Sequence, residues 1–389
     1  MKFSSPVYII AARRSPIGRL GGALSTLSAV ELATPVARQT LALLPDPSAV
    51  NSVIFGHVLQ TGCGMNLARQ VALNCKLPQS TPAFTVNMVC GSGLQAISLA
   101  AREIVLGEAE FVLAGGAESM SNAPHLLNMR NGKKFGDAQL TDSILWDGLT
   151  DPIHGIAMGE TAELVAAKYE ISREVQDALA LQSQQRAVAS MEKFAREIVR
   201  IQTSKALVER DEHPRADTTI EKLSTLRPAF RVDGTVTAGN ASGLNDGAAC
   251  VLLASESAVE KYGLQPRAKL IGASVVGCDP LLMGMGPVGA IRQLEIEIGW
   301  GIKQADAIEI NEAFAAQSIA CARELEIDAA KLNRRGGAIA LGHPIGASGA
   351  RVIVTLLHLL EDENLQRGIV SLCIGGGMGI AAAIELMRN

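Results

Sequence analysis

The chain has 389 residues, with 35 Lys and Arg against 39 Asp and Glu and a formal net charge of −4. Its 48% hydrophobic content excludes a disordered chain, and its length exceeds the roughly 250–300 residues at which one core stops growing. The absence of a basic block argues against a dedicated nucleic-acid binder. Taken in chain order, Val7 to Ala12 reads as a strand, and as an apolar run it is shorter than the ~7–15 residues of a secretory leader. Val53 to Phe55 and Phe84 to Val89 follow as strands. Gly91-Ser92-Gly93 then opens a helix with Leu94, Ile97, Ala101 and Ile104 on one face, and Phe111 to Ala114 is a buried strand ending in Gly115-Gly116.

Residues 121–243 differ in character. A polar stretch, Asn128 to Asp142, precedes two helical patterns, the second starting after Ser172 with Val175, Ala178, Leu179 and Ala187 on or near one face. Beyond it the first pattern returns. Leu270 to Val276, Ala307 to Ile310 and Ala338 to Leu341 read as strands, Gly346-Ala347-Ser348-Gly349 opens a helix to about Leu360, and Ile369 to Ile374 is a buried strand ending in Gly375-Gly376-Gly377. Strands alternating with helices imply parallel-rich sheets covered by helices. The expected architecture is α/β, with a duplicated half over 1–120 completed by 244–266, an inserted loop domain over 121–243, and a second half over 267–389. The stretch Ile369 to Ile384 is broken by glycines and too short for the ~20 residues of a membrane helix. A soluble, cytoplasmic protein is expected.

The seven cysteines are odd in number and lack zinc spacing, so neither a metal site nor a disulfide framework is expected. Cys90 stands where a strand gives way to a helix N-terminus, a place that favours the reactive thiolate. Gly91 to Ala96 also fits G-x-G-x-x-A, with Glu118 after the next strand, the pattern of a nucleotide-dependent oxidoreductase. A single match of that kind is weak, and it leaves Cys90 unexplained. His343, between Gly342 and Pro344, occupies in the second half the position of Cys90 in the first, and histidine accepts protons near neutral pH. Packing the halves face to face brings the two turns together. The glycines after Cys373 let backbone N–H groups approach a developing oxyanion. Asn311-Glu312-Ala313-Phe314 follows a buried strand; alone it reads as a solvated loop.

Together these segments resemble the thiolases. Cys90-Gly91-Ser92-Gly93, Asn311-Glu312-Ala313-Phe314, Gly342-His343-Pro344-Ile345-Gly346 and Cys373-Ile374-Gly375-Gly376-Gly377-Met378-Gly379 match four signatures in order, and the flanking Thr237 to Gly247 matches too. The Cys-Gly-Ser-Gly form is similar to the biosynthetic branch, which condenses two acetyl-CoA to acetoacetyl-CoA. The degradative branch, acting on longer 3-ketoacyl-CoA chains, is the alternative. The resemblance implies mixed five-stranded sheets in an α/β/α/β/α stack. It implies that Cys90 carries the acetyl group, with His343 and Cys373 as bases. One oxyanion site is implied at His343 with a water held by Asn311, and the other at the N–H groups of Cys90 and Gly375. It assigns CoA to Leu149, Met158, Arg215, Ala238, Ser242 and Leu244, with Met283 and Phe314 near the pantetheine. Arg215 is implied at the 3′-phosphate, and Met158 and Met283 are implied to crowd the acyl pocket. No prosthetic group is implied; acetyl-CoA and CoA enter only as substrates and products. A loop at roughly 121–145 implies a homotetramer, with neither nucleic acid nor membrane as partner. Three positions depart from the pattern: Ala157 replaces a common His, Lys222 a common Ser, and Arg334-Arg335 a less charged pair.

Overall fold

The computed structural model describes residues 1–387. Its main strands are β1 (Val7–Arg14), β2 (Ser52–Gly56), β3 (Ala83–Val86), β4 (Phe111–Ser119), β5 (Asn245–Ser255), β6 (Ala268–Gly277), β7 (Ala307–Ile310), β8 (Arg367–Ile374) and β9 (Met378–Leu386). The main helices are α1 (Ala29–Leu41), α2 (Leu67–Asn74), α3 (Ser92–Val105), α4 (Met158–Lys168), α5 (Arg173–Ala189), α6 (Glu256–Tyr262), α7 (Gly286–Ile298), α8 (Ala315–Glu324), α9 (Ala338–Leu341) and α10 (Ile345–Asp362).

Five strands form one half in the order β3-β2-β4-β5-β1, and β6-β9-β8-β7 form the other. The halves meet edge to edge where Tyr8 and Ile9 of β1 pair with Lys269 and Ala268 of β6. A bridge from Ile308 to Leu332 supplies a fifth position beyond β7. The pairing is mixed: β2 runs parallel to β3 and β4, and β7 parallel to β8, whereas the remaining neighbours are antiparallel.

Alternation along the strands builds the layers, because successive side chains point to opposite faces. On β5, Ala249, Val251 and Leu253 enter an inner core with Leu94, Ile97, Val352 and Leu356. Ala248, Cys250 and Leu252 face outward, onto α1 and α2. The other half places Ile308, Ile369 and Ala383 against α7 and α8. Helices α3 and α10 therefore occupy the middle layer. Residues 345–360 of α10 are all buried, Arg351 and His358 among them, as expected of a largely apolar helix in the core.

The two central helices touch through backbone. A Cβ on Gly93 would stand 2.8 Å from the Ala350 nitrogen and 2.9 Å from the Gly346 oxygen, and one on Gly349 would stand 2.3 Å from the Leu94 nitrogen. Only glycine admits this approach, and it brings the N-termini of α3 and α10 together.

Two expectations are corrected. Ala338–Leu341 is a short helix, α9, not a strand. Its N-terminal side is tied by Ile339 N–H to the Glu312 carboxylate and by Gly337 N–H to the Ser183 hydroxyl, bonds that hold it off the sheet. On α5 the buried face is Gln176, Asp177, Ala180, Ser183, Gln184 and Ala187, whereas Val175 is exposed. That face is polar because it binds loops: Asp177 accepts from Asn240 at 2.9 Å, Ser183 donates to Glu312 at 2.6 Å and Gln184 accepts from Arg215 N–H at 2.7 Å.

Candidate active site

Between β3 and α3 the chain turns sharply. Val89 has φ +47, a left-handed conformation costly for a β-branched residue and a mark of local constraint. The Ser92 hydroxyl closes the turn, donating to the Val89 carbonyl at 2.7 Å and accepting from Met88 N–H at 2.8 Å. Cys90 is held half-buried with its side chain on a cavity. Burial pushes its thiol up to about 11, partly offset by the backbone N–H groups of Gly375 and of Cys90 itself. Desolvation thus outweighs the helix terminus, and Cys90 rests as a thiol that needs a base to reach its reactive form.

His343 precedes α10. Gly342 makes the turn at φ +103, where a Cβ would collide with the Asn245 amide. That same amide accepts from His343 N–H at 2.9 Å and donates to the Gly18 carbonyl at 2.9 Å. On the imidazole, Nδ1 lies 2.6 Å from the Ser348 hydroxyl oxygen, and Ser348 donates its own proton to the Pro344 carbonyl at 2.9 Å. Nδ1 is therefore the protonated nitrogen, and Nε2 presents its lone pair. The Asn311 amide nitrogen lies 3.5 Å from Nε2. Burial lowers the imidazole to about 3, with Arg351 acting in the same direction, so it is neutral at rest.

Asn311 is fully buried, not in a solvated loop. Its neighbour Glu312 accepts from Ser183, Asn333 and Ile339 N–H, which fastens the turn after β7. Cys373, at the end of β8, is also fully buried. Burial raises its thiol well above the ordinary value, and the nearby Cys90 adds to the rise.

Cys90, His343 and Cys373 share one cavity of about 140 Å³, lined also by Gly375, whereas Asn311 does not line it and reaches the site through its contact with His343. Leu149, Met158, Ser242, Leu244, Met283 and Phe314 line it too, as does Ala157. The segment carrying Ser242 and Leu244 is fixed from both sides: Ser242 N–H donates to the Ala313 carbonyl at 2.9 Å, and Leu244 bridges to His343. Arg215 and Ala238 lie elsewhere, on a second cavity of about 210 Å³ lined also by His213, Asp217 and Lys222. Lys222 is engaged with the Asp217 carboxylate at 2.6 Å, whereas Arg215 is exposed and makes no ion pair among the described residues. No group of side chains able to hold a metal is present among the described residues.

Sequence reasoning missed Ser348, Asn245 and Phe230. Phe230 lines the cavity and meets Phe314 edge to face at 6.2 Å. Ser348 had one available signal, its place in the first turn of the helix that His343 precedes. The nucleotide pattern fails on Glu118. That carboxylate is fully buried and accepts from Val58, Leu59 and Gly346 N–H groups, so it is not free for a ribose.

Two family models match the chain: the thiolase N-terminal domain over residues 7–257 and the thiolase C-terminal domain over 264–386. An acetyl-CoA acetyltransferase of Chromobacterium violaceum is 50% identical over 388 residues, covering 97% of this chain and 99% of that protein. The cytosolic acetyl-CoA acetyltransferase of Rattus norvegicus is 49% identical, covering 98% of each. Among solved structures, Bacillus anthracis acetyl-CoA acetyltransferase superposes with a TM-score of 0.96 at 46% identity, covering 100% of both chains. Human mitochondrial 3-ketoacyl-CoA thiolase in complex with CoA gives 0.97 at 46% identity, covering 100% of this chain and 99% of that one. No helix among the described residues is long and apolar enough to cross a membrane.

Proposed function

The chain belongs to the thiolase family, and from that premise we propose that it condenses two acetyl-CoA molecules to acetoacetyl-CoA and CoA, and runs the reverse thiolysis, through an acetyl group carried on Cys90. The observation that carries this is the convergence of two thiols and a neutral imidazole on one small cavity, which the Gly375 backbone also lines.

The proton ledger closes with these groups alone. His343 Nε2 takes the Cys90 proton as the sulfur attacks the thioester carbon, and the N–H groups of Cys90 and Gly375 receive the oxyanion. One such donor is worth about 3–4 kcal/mol. When the carbon–sulfur bond breaks, the departing CoA sulfur takes the proton of Cys373. Cys373 is left as a thiolate beside imidazolium. A thiol raised by burial yields a strongly basic thiolate, suited to removing a proton from the methyl carbon of a second acetyl-CoA. The enolate oxygen faces His343 and a water held by Asn311. Its carbon attacks the acetyl group, and the Cys90 sulfur leaves, reprotonated by His343. Covalent catalysis of this kind needs no metal or redox cofactor.

Met158, Met283, Leu149 and Phe314 wall the acyl end of the cavity and suit a short chain. Arg215 and Ala238, on the neighbouring cavity, suit the phosphate-bearing end of CoA. Leu127, Met129, Phe135 and Leu140 are exposed in the loop near 121–145, which supports assembly into a homotetramer. A cytoplasmic location is consistent with the rat relative's printed name.

Intact-protein mass after mixing with acetyl-CoA tests the reading. Wild type gains one acetyl group, C90A gains none, and C373A gains it but forms no acetoacetyl-CoA. Acetylation of C90A would sink the assignment of the nucleophile. Faster thiolysis of six- to ten-carbon 3-ketoacyl-CoA than of acetoacetyl-CoA would transfer the protein to the degradative branch.

A further inference from the structure

Arg351 stands on α10, three residues beyond Ser348 and on the same side of the helix. Its side chain is 2% exposed. A guanidinium so deeply buried is costly, and its ion pairing adds little net stability. Among the described residues its side chain makes one hydrogen bond, from Nη2 to the Asn311 side-chain amide oxygen, Oδ1, at 3.3 Å. Its Nε and Nη1 have no hydrogen-bond partner, and the nearest carboxylate oxygen, on Glu309, is 3.6 Å from Nη1. The one directional contact of an expensive charged group thus falls on a side chain of the candidate active site.

That contact has a geometric consequence. A primary amide can sit in two orientations, with its oxygen and nitrogen exchanged. Guanidinium has donors and no acceptor, so it tolerates only the orientation in which the Asn311 oxygen faces Arg351. The NH₂ group of Asn311 is then turned to Nε2 of His343, which is the acceptor nitrogen because Nδ1–H is committed to Ser348. In the opposite orientation, NH₂ would meet guanidinium, and the amide oxygen would meet the imidazole lone pair. We infer that Arg351 is a positioning residue for the condensation step, holding the Asn311 amide so that its N–H groups face His343 and the second oxyanion site.

This rests on the condensation mechanism above. In that mechanism Asn311 serves the enolate and not the first acetyl transfer, so the loss falls on one half-reaction. The test uses R351M/E309Q, which removes guanidinium and its facing carboxylate together and leaves neither charge alone in the core. R351K, which keeps a cation without the planar fork, is the conservative partner. Condensation by R351M/E309Q should fall about tenfold or more, the size expected for losing a hydrogen bond from a charged group. Acetylation of Cys90, followed by intact mass, should fall no more than about twofold below wild type, since removing Arg351 also removes a charge that lowers His343, its base. R351K should recover part of the condensation rate. In an N311A background, R351M/E309Q should cause no further loss, because Arg351 acts through Asn311.

Equal falls in acetylation and condensation would show a merely structural role and overturn the inference. So would multiplicative losses with N311A, or wild-type condensation by R351M/E309Q. If R351M/E309Q does not fold, R351Q/E309Q takes its place: the glutamine amide can accept as well as donate and so does not fix the Asn311 orientation, and condensation at the wild-type rate by that variant also overturns the inference. A wild-type protein that makes no acetoacetyl-CoA defeats the functional reading instead.

Discussion

Replacing Gly93 with Ala puts a methyl group where α3 meets α10. The new Cβ would lie 2.8 Å from the Ala350 nitrogen and 2.9 Å from the Gly346 oxygen. Both distances fall short of ordinary contact by about half an ångström, and both atoms are helix backbone, so no side-chain rotation relieves them. The helices must part by about that amount. Overpacking of this kind costs about 1–3 kcal/mol, and the better helix propensity of Ala returns about 0.5–1 kcal/mol. A net loss of about 1–2 kcal/mol is expected. Activity should suffer more than stability. Cys90 precedes α3 and His343 precedes α10, so parting the helices parts the pair, and a displacement of about 1 Å costs on the order of 100-fold. Half that displacement gives about a tenfold slower acetylation of Cys90. The assay is intact mass against time after mixing with acetyl-CoA, together with a urea midpoint. The control is G107A at the far end of the same helix, where a Cβ meets nothing within 4 Å but φ is +75. That variant should lose stability through backbone strain and keep its rate. If G93A loses stability yet acetylates at the rate of G107A, the helix contact does not set the distance between thiol and imidazole.

Three further outcomes follow from the site. S348A removes the acceptor for His343 Nδ1–H, leaving a buried donor unpaired at a cost of about 1–3 kcal/mol. Acetylation of Cys90 should slow by about 10- to 100-fold, and a wild-type rate would refute the tautomer assignment. R215A should raise KM for acetyl-CoA several-fold with kcat unchanged, and wild type and R215A should be equal on acetyl-dephospho-CoA; a difference there removes Arg215 from the 3′-phosphate. Burial lowers both His343 and His358 to about 3, in the latter case assisted by Arg267. Their folded values lie below the unfolded value of 6.5, so their contribution to stability is full above that pH and declines as pH falls toward 3. Each contributes a slope of about 1.4 kcal/mol per pH unit well below 6.5. A urea midpoint that does not drop between pH 7 and pH 5 would contradict this.

Much of the fold was legible because strands and helices announce themselves by local period. Leu94, Ile97, Ala101 and Ile104 share one buried face of α3, as their spacing requires. Two local signals misled. Ala338–Leu341 is apolar enough for a strand, yet Glu312 and Ser183, remote in sequence, bind its N-terminal end as a helix. On α5 the apolar spacing found Ala187 but also took in the exposed Val175, because the buried face carries Gln176, Asp177, Ser183 and Gln184 beside its alanines and these polar groups bind loops.

The candidate site divides the same way. The turns carrying Cys90, His343 and Cys373 could be read from sequence, because a strand, a glycine-rich turn and a helix are successive in the chain. That packing the halves brings the Cys90 and His343 turns together could be read as well, from their matching places in the two halves, but the contact that sets their approach could not. It is backbone contact of Gly93 with Gly346 and Ala350, and of Gly349 with Leu94, residues more than 250 positions apart. The protonation states could not be read either, since helix position favours a thiolate and only the depth of burial shows that a neutral thiol and a neutral imidazole prevail. The amino-acid sequence determined which groups are available and the local turns that present them. Tertiary structure decided their distances, their charges and the orientation of the Asn311 amide, because desolvation and packing depend on neighbours that the chain order does not reveal.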